Sequence, residues 1–212
     1  MKCLDPRVRL PGFLTSLFKE AVWRFKEVGQ TVYLTFDDGP IPEVTPWVLD
    51  LLDKEAIKAT FFCVGENVQR YPDVYRQIVE RGHSVGNHTF NHLQGYKQVD
   101  QDYFNNIEKA GNYIDSDLFR PPHGLLKVSQ YNYLKKKYRV IMWDLITCDY
   151  DSRLKPEEVL KNVTDFVRTG SILTFHDSEK AKYNLMNALP PAIKWIKDQG
   201  YRFEAIPYNQ KL

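Results

Sequence analysis

The chain has 212 residues, enough for one domain with a substantial core. A hydrophobic share of 43% beside 26% charged residues excludes a disordered polymer, and a net charge of +2 leaves no basic field for nucleic acid. No run approaches the ~20 apolar residues of a membrane-spanning helix. Three widely separated cysteines (Cys3, Cys63, Cys148) supply no disulfide framework and favour a reducing compartment.

The first predicted element is a helix over 13–25. Phe13, Leu14, Leu17, Phe18, Ala21, Val22 and Phe25 recur at helical spacing, so residues 1–29 read as an amphipathic helical extension packed on the domain body. Peripheral contact with a membrane face is the alternative, weakened by the mixed charges of Lys19, Glu20 and Arg24. Those charges also interrupt the stretch as a signal peptide, and no small-residue cleavage site follows, so the expected location is cytoplasmic or peripheral to the membrane.

Residues 30–212 form the second unit. Short β-rich runs are predicted at 31–36, 58–64, 83–87, 118–121, 139–144, 171–176 and 201–206, with helical patterns at 43–55, 72–81, 98–115, 127–137, 156–169 and 185–199. Gly82, Gly170 and Gly200 each stand just past a helical run, and Pro72 and Pro156 stand where helices begin. Such alternation predicts parallel strands with covering helices, an α/β fold of the distorted (β/α)7-barrel type. An open doubly wound sheet is the alternative, but no glycine-rich phosphate loop follows the first strand. Lys135, Lys136 and Lys137 read as a solvated helix face.

The polar clusters fall at the C-terminal ends of the predicted strands: Asp37 and Asp38, His88 and His92, Arg120, Asp149, and His176 with Asp177. That is the rim where α/β barrels assemble active sites. In NHTFNH the two histidines are four apart, which on a helical turn brings both imidazoles to one side. Two histidines and one carboxylate leave open positions on a divalent cation, and Asp38 is the candidate third ligand. Its neighbour Asp37 then stays free as a base toward an activated water, and a cation would relieve the repulsion between the two carboxylates. His83 reads as a strand-packing residue, His123 as ambiguous, and Cys148 as a small core residue.

The segments TFDDG, HTFNH, RPPHG, WDLITCDYD and LTFHD resemble, in order, the five motifs of the polysaccharide deacetylases of carbohydrate esterase family 4, the NodB-homology domain. The resemblance covers about residues 30–206 and implies a distorted barrel that removes acetyl groups from N-acetylated, or O-acetylated, sugars with one divalent metal ion. Zn2+ is expected, with Co2+ or Ni2+ as alternatives. It implies Asp37 as general base, Asp38, His88 and His92 as metal ligands, Arg120 as the residue holding Asp37, His176 as general acid and Asp149 as its orienting partner. A backbone N–H near His123 would face the oxyanion.

The fourth motif departs from the family at Ile146 and Tyr150, the third at His123, and the fifth at Thr174, the residue expected in the acetyl-methyl pocket. Trp143, Tyr150 and Phe90 are the expected groove walls. A silent sugar-binding pseudoenzyme and a hydrolase of cyclic amides are the rival readings. The expected partner is a glycan containing N-acetylglucosamine, and a monomer is expected.

Overall fold

Eight parallel strands form one sheet in the computed structural model, which describes residues 8–9, 15–26 and 29–209. They are β1 (Thr31–Asp37), β2 (Thr60–Cys63), β3 (Ser84–Asn87), β4 (Leu118–Phe119), β5 (Arg139–Val140), β6 (Leu145–Ile146), β7 (Ile172–His176) and β8 (Arg202–Phe203). Their order is β5-β4-β3-β2-β1-β7-β6, with β8 paired to β1. The covering helices are α1 (Thr45–Lys54), α2 (Gly65–Arg70), α3 (Pro72–Glu80), α4 (Asp100–Gly111), α5 (Val128–Leu134), α6 (Pro156–Phe166) and α7 (Lys182–Asp198). The expected distorted barrel is the fold observed.

Strand pleating sorts β1 into two faces. Val32, Leu34 and Phe36 join Phe61, Val85, Leu173 and Phe175 in the layer beneath the helices. Tyr33 points the other way, into an interior cluster with Phe62, Leu118, Ile141 and Ile172. On that inner face β1 and β7 are in register as Thr35 with Thr174 and Asp37 with His176. The interior is therefore apolar at its base and polar at its carboxyl rim.

Two expectations fail on the path of the chain. The strand predicted over 139–144 is broken. Residues 139–140 pair with β4, while Asp144 N–H already donates to Ile172 O of β7 at 3.1 Å, so the segment crosses from one edge of the sheet to the other. This crossing makes the count eight instead of seven. The amphipathic helix does not run through to residue 25: among the described residues Thr15 is helical, Ser16–Phe18 form a 3-10 turn, and residues 19–26 are non-helical. Residues 13 and 14 lie outside the described residues.

A seam in the barrel takes Phe18, Ala21, Val22 and Phe25, while Leu17 stays exposed. Val22 N–H donates to Val140 O and Met142 N–H donates to Val22 O, both at 2.8 Å, and Arg24 bridges Ser171. Gly170 permits this approach, because a Cβ there would stand 1.6 Å from Phe25 O. Upstream, Ile146 N–H donates to the carbonyl of fully buried Val8. Arg9 pairs with the buried carboxylate of Asp144, which also takes Arg168 and Ser171.

Candidate active site

The TFDDGP stretch turns the end of β1 into three separate positions. Asp37, last in the strand, points into the barrel and is nearly buried. Asp38 follows at φ 85, which swings its side chain to the rim, where its backbone carbonyl accepts a 2.8 Å bond from Asn67 Nδ2. Gly39 then passes so close to Asp177 that a Cβ would lie 2.0 Å from Oδ2. Asp177 fastens this turn, accepting from Gly39 N–H at 3.1 Å and from Thr45 Oγ1 at 2.6 Å, and burial raises its carboxyl to about 8. Neither Asp177 nor Thr45 was assigned a role from sequence.

Arg120 lies fully buried inside the barrel, its guanidinium 4.0 Å from the Phe62 ring. Nη1 donates to Asp37 Oδ1 at 2.6 Å, Thr35 Oγ1 at 2.8 Å and Thr174 Oγ1 at 3.2 Å, and Nη2 donates to Met142 O at 2.9 Å. The carboxylate is thus held by Arg120, the residue that the family resemblance implied for this contact. The backbone of the same residue positions a second group: Arg120 O accepts from His88 Nδ1 at 2.8 Å. A carbonyl only accepts, so Nδ1 carries the proton and Nε2 keeps its lone pair. Burial, with His92 nearby, lowers the His88 imidazole well below its ordinary value, so it is neutral.

His88 Nε2 and His92 Nε2 lie 3.8 Å and 3.3 Å from Asp38 Oδ1. Oδ1 is buried and has no hydrogen-bond partner among the described residues. A carboxylate oxygen facing two imidazole nitrogens, without a donor to satisfy it, fits a divalent cation of the kind that takes N and O ligands. The two histidines do not share a helical turn, as their spacing suggested. They flank a loop with Thr89 at φ 66 and His92 at φ 57, pinned by Asn87 Oδ1 to Thr89 N–H and by Thr89 Oγ1 to Leu93 N–H.

Across the rim, Asp149 Oδ1 accepts from His176 Nδ1 at 2.8 Å and Oδ2 from His176 N–H at 2.8 Å, with Thr147 Oγ1 donating to Oδ1 at 3.1 Å. Burial alone would lower the His176 imidazolium. The Asp149 carboxylate, with Asp38 and Asp37 behind it, outweighs burial and raises it to about 9. Nε2 is left to exchange a proton with a ligand.

A pocket of about 450 Å3 opens above these groups, walled by Pro121, His123, Trp143, Ile146 and Tyr150. Tyr150 stands edge-on to His176 at 4.9 Å, and Trp23 of the N-terminal segment backs Trp143 at 6.3 Å. His123 thus reaches the wall, beside His92 at 4.9 Å. Two assignments are corrected. Thr174, expected in the acetyl-methyl pocket, is fully buried two residues before His176, bonded to Thr35 and Arg120, and does not line the pocket. Phe90 is buried in the helix-facing core, with its ring under Lys109 and against Tyr113. His83 packs as expected, edge-on to Phe61.

The arrangement has known counterparts. The profile of the family described as Polysaccharide deacetylase matches residues 26–139. A peptidoglycan-N-acetylglucosamine deacetylase of Bacillus cereus is 32% identical over 191 residues, covering 87% of this chain and 90% of that one. A chitooligosaccharide deacetylase of Azorhizobium caulinodans is 31% identical over 203 residues, covering 87% and 96%. The crystal structure of the Bc1960 peptidoglycan N-acetylglucosamine deacetylase superposes with a TM-score of 0.85 at 28% identity, covering 93% of this chain and 95% of that one.

Proposed function

The chain belongs to the polysaccharide deacetylase family, carbohydrate esterase family 4, and from that premise we propose that it is a metal-dependent hydrolase removing acetyl groups from the N-acetylated sugars of a glycan. The observation that carries this reading is the double duty of Arg120, whose side chain holds Asp37 and whose carbonyl sets the tautomer of His88. One residue thereby keys the base to the metal-ligating loop.

Asp38, His88 and His92 would hold the ion, and Zn2+ suits two imidazoles and a carboxylate. When bound, such an ion supplies Lewis-acid polarisation of the acetyl carbonyl and makes a nearby water more acidic. Asp37 removes the proton from the attacking water, and its hydrogen bonds to Arg120 keep it oriented and ionised until then. His176 delivers the Nε2 proton to the sugar nitrogen as the C–N bond breaks, while Asp149 on Nδ1 stabilises the imidazolium before transfer. The backbone N–H near His123 is assigned to the oxyanion. The products are acetate and a free amino sugar.

The decisive experiment is acetate release by the metal-loaded protein from N-acetylglucosamine oligomers, peptidoglycan fragments and acetylated xylan, each with a chelated control. Chelator-sensitive release from an N-acetylated member is expected. Silence on a panel that a positive-control deacetylase cleaves would overturn the reading.

A further inference from the structure

Three cavities at the carboxyl rim share walls. The central one is the pocket over His176. A second, of about 360 Å3, meets it at Asp38 and His92, and a third, of about 500 Å3, meets it at Lys180. The two flanks differ in charge. The second cavity is lined by Asp38, Glu66 and Glu179 and by no lysine or arginine. The third is lined by Arg153, Lys155 and Lys180 against one carboxylate, Glu157.

Within the basic flank the cations are not equivalent. Arg153 is engaged by Asp151, with bonds of 2.7 Å and 2.8 Å. Lys180 is exposed, with its ammonium 5.5 Å from the Tyr150 ring centroid, and makes no ion pair among the described residues. It therefore stands at the junction of the two cavities with its charge unspent. A neutral glycan offers that charge no partner, whereas a carboxylate reaching out of the central pocket does.

We propose that Lys180 is a specificity-determining residue that binds a carboxylate carried by a sugar neighbouring the acetylated one, so that the preferred substrate is an anionic amino-sugar glycan. The acidic flank offers a carboxylate no free cation among the described residues, since Arg70 and Lys182 face Glu66 and Glu179 at 4.0 Å and 3.7 Å, so the strand lies with its acid toward Lys180. This rests on the deacetylase reading and adds the substrate's charge to it. The carboxylate can come from an ether-linked lactyl group, as in muramic acid, or from a hexuronic acid.

The test compares kcat/KM on four substrates: strands alternating N-acetylglucosamine with N-acetylmuramic acid, the same strands with carboxyls converted to methyl amides, hexuronate-containing N-acetylated oligomers, and N-acetylglucosamine oligomers. The wild-type protein is expected to prefer one carboxylate strand over its neutral counterpart by about fivefold, the reach of one partly exposed ion pair, with the two acidic arms identifying the source. Lys180→Gln is expected to collapse that ratio through KM, Lys180→Arg to keep it, and high salt to erase it. A wild-type ratio of about one, or a ratio that survives in Lys180→Gln, would overturn the proposal. Equilibrium binding in chelator reads the same ratio without turnover. A carboxylate preference in binding with no acetate released would sink the deacetylase reading alone, and acetate release with no such preference would sink this proposal alone.

Discussion

Replacing Asp37 with Asn keeps the shape of the carboxylate but removes its basicity. Turnover should fall by roughly 10²–10⁴, while metal content stays unchanged by elemental analysis, because Asp37 faces Arg120 and not the two histidines. Loss of metal in this variant would instead make Asp37 a ligand. His88→Ala should lose the ion on dialysis. At His176 the sign can be worked through. Its folded value of about 9 exceeds the ordinary 6.5, so the His176–Asp149 pair stabilises the fold fully below about pH 6.5 and loses that contribution as pH rises through about 9. The same titration gives kcat/KM a basic limb near pH 9, where the general acid loses its proton, and Asp149→Asn should move that limb downward and lower kcat. The two adjacent aspartates and the paired histidines were legible in sequence because their chemistry is rare at such spacing. Thr35, Thr147 and Thr174 were not, because a buried threonine is ordinary in a strand, and only the register shows that these lie beneath Asp37, Asp149 and His176.

Elements were legible where a period or a punctuating residue marked them, as with the glycines after α3 and α7 and Pro156 opening α6. They were misread where the spacing fitted a different backbone. Four residues between histidines matches a helical turn, yet Asn87, Thr89 and Asn106 hold the loop by side-chain bonds that no periodicity reports. The β1 turn makes a sharper prediction. Gly39→Ala drives a Cβ into the Asp177 carboxylate and should cost about 1–3 kcal/mol, a drop in Tm of roughly 2–12 °C in thermal denaturation. Asp177→Ala in the same chain should recover part of that loss, since the clash and its partner share one site.

At the level of the whole molecule, the barrel alternation was readable from sequence, but its closure was not. The apolar spacing of the segment reports that Phe18, Ala21, Val22 and Phe25 pack inward without saying in which conformation, and non-helical chain in a seam satisfies it as well as a helix does. Trimming residues 1–26 should uncover Met142 and the Asp144 cluster, lower Tm well beyond the effect of Gly39→Ala, and speed hydrogen exchange across residues 140–146. The seam also has a consequence for how the protein is made. Arg24 bonds to Thr169, a residue 145 positions further along the chain. The segment around Arg24 therefore has no complete docking site until Thr169 has been synthesised, so the barrel is laced shut late in synthesis by residues made long before their partners.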